Sequence, residues 1–194
     1  MVIGVDCDEV VMPLPLTKML NKKYGKNVPE SDNRGYDFWS PFGITKEKAI
    51  DIFIEFACTP EFLDLKPYEG ALEGLLELKK IDELYLITSR PHSLKERTEQ
   101  HLAIQCPNIF SKIITTNSFS NEGTPIQKRK VCRDISARLM IEDHYDTARE
   151  IAEDIPVILI NRFWNKDKPL LKNMVRAYNL QESADMAKRI YGKI

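Results

Sequence analysis

No stretch of this chain stays apolar for the roughly 20 residues that a membrane-crossing helix needs, so no such helix is expected. Net charge is nearly absent as well. Lys and Arg number 28 against 29 Asp and Glu, a balance of −1. That leaves no global pull toward a nucleic-acid polymer or an anionic membrane. Paired cysteines are also missing. Cys7, Cys58, Cys106 and Cys132 form no Cys-x-x-Cys pair and lack zinc-ligand spacing, so they read as reduced thiols of an intracellular protein. A charged and then apolar leader does not precede the first apolar run, and the expected location is the cytoplasm. Internal repeats and low-complexity segments are lacking too.

What remains is an ordinary globular composition, 194 residues with 43% hydrophobic content, enough for one domain with a sizeable core and a small inserted lobe. Val2, Ile3 and Val5 suit a buried strand. Between there and residue 66 the pattern is mostly helical. Leu16 to Tyr24 ends at a capping Gly25, Thr45 caps a helix from Lys46 to Ala57, and Thr59-Pro60 opens another. From residue 68 to 160, apolar strands alternate with amphipathic helices. The strands fall at 83–88, 112–116, 139–141 and 156–160, and Ser93 with Glu96 has capping-box spacing. That alternation predicts parallel βαβ units. The tail from Leu170 reads as polar and helical, with a short strand near Val175.

Chemistry-bearing residues follow four of the strands. Asp6, Asp8 and Glu9 crowd the end of the first, where unpaired carboxylates are costly and ask for a cation. One carboxylate can attack phosphorus, and a second, two residues on, can protonate a leaving group. Thr88, Ser89 and Arg90 end the second strand, where hydroxyls, backbone N–H groups and a guanidinium suit a phosphate. Lys128 and Lys130 open a later helix, where a lysine opposes the dipole unless it meets an anion. Glu142 and Asp143 follow a further apolar strand, and their hard oxygens suit Mg2+. Each group alone also suits an ordinary turn, cap or solvated face. It is their recurrence in order, each after a strand, that singles out a site.

In these motifs the chain resembles the haloacid dehalogenase superfamily. Asp6-Cys7-Asp8, Leu86-Ile87-Thr88-Ser89, Lys128 and Ile141-Glu142-Asp143 match its four motifs, across residues 2 to about 160. The resemblance implies an α/β, Rossmann-like three-layer sandwich with a parallel sheet. It implies a core of residues 1–13 and 67–194, with a small helical cap at 14–66 inserted after the first strand. It also implies catalysis by Asp6 as nucleophile and Asp8 as acid and base, with Lys128 neutralising charge and Lys130 as the alternative. Thr88, Ser89 and Arg90 would hold the phosphoryl group. The metal would be Mg2+, with Asp6, Asp8 and Asp143 as ligands and Glu142 as ligand or neighbour. The dehalogenating branch lacks the second aspartate, so Asp8 argues for a phosphatase. Glu9 stands where the family often has glycine, at the turn into the cap.

Within the superfamily the chain is most similar to the 5′(3′)-deoxyribonucleotidase group. The cues are the cap position, Thr98-Glu99-Gln100-His101-Leu102, and Asn161-Arg162-Phe163-Trp164-Asn165. Tyr36 and Trp39, with Phe38 and Phe42, would then stack a nucleobase or form the cap's own core. The expected partner is a small phosphorylated metabolite, a nucleoside 5′-monophosphate first. A sugar-phosphate phosphatase and a nucleic-acid end-processing phosphatase are the alternatives.

Overall fold

Short apolar runs form six strands, and a computed structural model describes them together with the rest of residues 1–32 and 37–192. The strands are β1 (Val2–Val5), β2 (Glu83–Thr88), β3 (Lys112–Thr115), β4 (Ala137–Glu142), β5 (Val157–Ile160) and β6 (Met174–Ala177). They pair in parallel in the order β3-β2-β1-β4-β5-β6. Strands covered on both faces must be apolar throughout, which explains the fully buried β1 and β5. Side chains alternate between the faces. Leu84, Leu86, Leu139, Ile141, Ile158 and Ile160 pack one side, while Ile87, Met140, Val157 and Leu159 pack the other.

Helices cover both faces. α4 (Ala71–Lys79) and α8 (Leu180–Tyr191) lie on one, α6 (Lys128–Asp134) and α7 (Tyr145–Ile151) on the other. Gly74 permits the approach of α4 to α8, because a Cβ there would sit 2.4 Å from the Leu180 carbonyl carbon. The sequence reading differs from the structure at one place here. α5 (Lys95–Gln105) starts after a one-turn 3-10 segment at His92–Leu94, so Ser93 does not cap it and Leu94 stands at that position without a side-chain bond. The tail has the short strand near Val175 and the helix that the sequence suggests. β6 closes the sheet, and the buried Leu180, Ala184 and Ala187 make α8 a core helix.

Between β1 and α4 the chain forms a helical insert of α1 (Leu16–Tyr24), α2 (Lys46–Ala57) and α3 (Pro60–Leu63). The Thr45 hydroxyl accepts from the Lys48 N–H at the start of α2, as its cap position requires. Leu16, Leu20, Phe38, Phe42, Ile50, Phe53 and Phe62 give the insert its own apolar cluster. Two residues from outside it, Leu94 and Phe119, join that cluster. One face of α5 also grips the end of the insert. Arg97 Nε donates to the Ala57 carbonyl at 2.8 Å, His101 Nε2 to Leu65 at 2.9 Å, and Gln105 Nε2 to Leu63 at 2.7 Å. Among the described residues no helix is long and apolar enough to cross a membrane.

Candidate active site at the switch point of the sheet

Strand order reverses between β1 and β4, since β2 and β3 extend one way and β5 and β6 the other. A crevice opens outside the carboxyl ends of the strands at such a point. Asp6 follows β1 there, Thr88 ends β2, and Glu142 ends β4 with Asp143 next. The sheet therefore gathers residues separated by more than a hundred positions.

β1 does not continue beyond Val5. A tight turn held by Val11 and Met12 N–H groups on the Cys7 carbonyl (2.8 and 3.0 Å) sends Asp6 and Asp8 to different partners. Asp6 is buried, and its Oδ1 accepts from its neighbour's Cys7 N–H at 2.7 Å. Lys128 Nζ lies 2.8 Å from that oxygen and 2.8 Å from Glu142 Oε2. Lys128 is itself buried, whereas Lys130 is exposed and pairs with Asp134 along its own helix. The dipole penalty expected for a lysine at the first position of α6 is thus offset by two carboxylates.

One oxygen from each of Asp6, Glu142 and Asp143 lies within 4.8 Å of the others, and all three residues are buried. Burial first, and then the Glu142 charge, raises the carboxyls of Asp6 and Asp143 well above the ordinary range. Three carboxylates around one ammonium leave the cluster short of positive charge. An all-oxygen donor set of that kind fits Mg2+, which is bound through one or two carboxylates and keeps its own waters. Asp8 stands apart from this cluster. Its carboxylate takes Arg90 Nε at 2.9 Å and Arg90 Nη2 at 2.6 Å.

Arg90, read from the sequence as a phosphate contact, lines the cavity beside Ser89 and is also bonded to protein. It is 1% exposed, donates through Nη1 to Thr98 Oγ1 at 3.1 Å, and covers the Phe62 ring at 5.0 Å. Thr88 is fully buried, and its hydroxyl accepts from the Arg90 N–H at 3.3 Å. Ser89 reaches the cavity above the acids, together with Asp6, Asp8, Asp143 and His144. The opposite wall of that cavity is apolar, made by Leu14, Leu16, Phe38, Phe53 and Phe119. Trp39 is not on that wall. It packs edge-on behind Phe38 at 5.3 Å. Tyr36 lies outside the described residues.

Sequence reasoning missed Phe53 and Phe119 as lining residues. Phe53 reads as part of the buried stripe of α2, and Phe119 lies in a polar loop. Glu9, placed from the sequence at the turn into the insert, is more than a turn residue. Its φ of 62° is left-handed, which explains why glycine suits that position. The carboxylate accepts from the Leu14 N–H at 2.8 Å and from the Tyr68 hydroxyl. Glu9 thereby ties the chain entering the insert to the chain leaving it. Burial raises its carboxyl above the usual range, against the pull of both bonds.

Comparison with known proteins places this geometry. Solved structures superpose over nearly the whole chain. A haloacid dehalogenase-like hydrolase of Streptococcus pneumoniae gives a TM-score of 0.66 at 14% identity, over 96% of this chain and 97% of that one. A haloacid dehalogenase-superfamily hydrolase of Geobacter sulfurreducens gives 0.55 at 19% identity, over 95% of each.

The chain shares its fold with these haloacid dehalogenase-type hydrolases.

No family model matches the sequence. A nucleotidase of Clostridium acetobutylicum is 29% identical over 120 residues. That match spans 61% of this chain and 58% of the relative's length. Within the fold, the acids after β1 and β4 and the lysine that opens α6 stand at one crevice, with the helical insert as its far wall.

Proposed function

We propose that the protein is a Mg2+-dependent phosphomonoester hydrolase that works through a phosphoryl group carried on Asp6. One observation carries the reading. Asp6 is buried against Lys128, grouped with Glu142 and Asp143, and open to a cavity whose other wall is apolar. An anionic carboxylate held beside an ammonium can meet an anionic phosphate without prohibitive repulsion. Asp6, Glu142 and Asp143 would hold Mg2+ together with the backbone carbonyl of Asp8. When bound, Mg2+ supplies further neutralisation of charge between Asp6 and the phosphate.

In the first step an Asp6 carboxylate oxygen bonds to phosphorus and the ester P–O bond breaks. Asp8 delivers a proton to the departing oxygen. In the second, a water oxygen attacks phosphorus, the Asp6–phosphoryl bond breaks, and Asp8 takes the water's proton. Arg90 holds the Asp8 carboxylate at two points, so its role here is to orient the acid and base. Ser89, Thr88 and the backbone after β2 would receive the phosphoryl oxygens.

The helical insert of residues 14–66 acts as a cap over the leaving group. Phe38, Phe53 and Phe119 present aromatic faces, on which any nucleobase can stack. With the nucleotidase likeness, this favours a nucleoside 5′-monophosphate as substrate. The four unpaired thiols suit a reducing compartment, and we place the enzyme in the cytoplasm.

A panel of phosphate esters, assayed with and without Mg2+, tests the proposal. Deoxynucleoside monophosphates should be hydrolysed fastest, only with the metal, and not by Asp6→Asn. Equal rates on hexose phosphates would overturn the nucleotide assignment. Wild-type rates in Asp6→Asn would overturn the mechanism.

A further inference from the structure

The segment Asn161–Asn165 follows β5 and carries none of the chemistry above, yet it is bonded more densely than a connecting loop requires. Asn165 is fully buried. Its Nδ2 donates to the Asp143 carbonyl at 2.7 Å and to the Ile160 carbonyl at 2.7 Å. Its Oδ1 accepts from the Arg162 N–H at 3.1 Å and from Arg176 Nη1 at 2.7 Å. Arg176, on β6, also donates to the Asn165 carbonyl and to Asn161 Oδ1, each at 3.1 Å. Arg162 reaches the other way, giving Nε to the Glu9 carbonyl at 2.8 Å while covering the Tyr68 ring at 4.5 Å.

This frame holds one side chain against the acidic cluster. Trp164 Nε1 donates to Asp143 Oδ2 at 3.0 Å, and Trp164 also lines the cavity. An indole N–H donates and never accepts, so it can only hold a carboxylate, never compete with it for a cation. Taking one oxygen of Asp143 fixes the plane of that carboxylate and so the direction of the other oxygen. Losing a partner of this kind behind a metal ligand typically costs about 10–100-fold in metal affinity.

We infer that Trp164 is a positioning residue for the metal site, orienting Asp143 for Mg2+ through its indole N–H, with Asn165 and Arg176 fixing the loop that carries it. The inference rests on the proposed reading of Asp6, Glu142 and Asp143 as a Mg2+ site. It adds a residue that touches neither the phosphate nor the metal.

Calorimetric titration of Mg2+ into the full chain tests it without any assay of turnover. Trp164→Phe should weaken Mg2+ binding about tenfold. In an Asp143→Asn background the same change should alter binding less than about twofold, because coupled residues are not additive. Replacing Trp164 by benzothienylalanine, which exchanges the N–H for sulfur at nearly constant volume, should match the Phe variant and guards against a folding defect. Unchanged affinity in either variant overturns the inference, as does an equal loss with and without Asp143. If the wild-type chain itself binds no Mg2+, the metal reading falls and this inference falls with it. If it binds and the Trp164 variants bind equally, only the inference falls.

Discussion

The two walls of the cavity are built on different principles. The floor is acidic, with Asp6 and Asp143 at strand ends facing the cavity and the buried Lys128 and Glu142 bonded in line behind Asp6. The facing wall consists of Phe38, Phe53 and Phe119, held by packing within the insert's cluster rather than by hydrogen bonds between their side chains. The acids of the floor stand at the ends of β1 and β4, strands buried on both faces, and the lysine opens α6. The wall is assembled from segments far apart in the chain, and Phe119 reaches it from the loop after β3, outside the insert. The difference teaches that reaction type and substrate choice are separable here. Changes to the floor should abolish chemistry, and changes to the wall should redirect it.

The largest expected effect comes from breaking the floor. Lys128→Met leaves Asp6 and Glu142 buried without their shared cation, a change that costs about 3–5 kcal/mol when a buried pair is broken. Denaturant unfolding should register that loss, and phosphate release should fall below detection. Next comes the link between floor and wall. Arg90→Lys keeps the charge but loses the fork on Asp8. Turnover of nucleoside monophosphates, whose leaving oxygen needs a proton, should fall on the order of 100-fold. Turnover of p-nitrophenyl phosphate, whose phenolate leaves without one, should fall distinctly less. Equal losses on both would show that the fork serves something other than the acid.

Changes to the wall should leave kcat nearly intact. Phe119→Leu preserves most of the packing but removes a stacking face. It should raise KM for nucleoside monophosphates about tenfold, within the range of one base–aromatic stack, and leave glycerol phosphate unaffected. Trp39→Leu, behind the wall, should shift the profile less. A larger effect at Trp39 would move the base site deeper into the insert.

The smallest expected effect concerns how the insert is seated. His101 donates Nε2–H to the Leu65 carbonyl, packs tilted against Phe62 with ring centroids 4.7 Å apart, and has a buried Nδ1 without a partner. Burial depresses its affinity for a proton below the ordinary histidine value. The folded state therefore binds that proton less readily than the unfolded chain does. Stability is complete above the unfolded value near 6.5 and declines as pH falls below it. His144, also depressed by burial, acts in the same direction. The raised carboxyls of Asp6, Glu9 and Asp143 act in the opposite direction, so the test is a difference: between pH 7.5 and 5.5, His101→Gln should lose less thermal stability, or gain more, than the wild-type chain.

The acids of the floor were legible in the sequence, and of the aromatic wall only Phe38 was, for a physical reason. A parallel strand buried on both faces is written as an unbroken apolar run, and an acid immediately after it is conspicuous. Val2–Val5 before Asp6 and Leu139–Ile141 before Glu142 show this directly. Phe53 and Phe119 carry no such mark, since an aromatic in a helix stripe or loop reads equally as packing. Arg90 was legible beside Thr88 and Ser89, but its bonds to Asp8 were not, since only the fold brings Asp8 within reach. β6 was faint because an edge strand with exposed Val175 lacks the unbroken apolar run. The Asn161–Asn165 segment stood out as a string of residues, but its contact with Asp143 depends on the neighbouring strand ends.

The central claim is that phosphorus passes through Asp6. Mixing the enzyme with Mg2+ and a nucleoside monophosphate, quenching in acid, reducing with borohydride and mapping the peptides by mass spectrometry tests it most directly. The account predicts that the acyl phosphate is trapped on the N-terminal peptide and reduced at position 6 to homoserine, and that Asp6→Asn yields none. Turnover without modification of that peptide, or modification at another carboxylate, would contradict it.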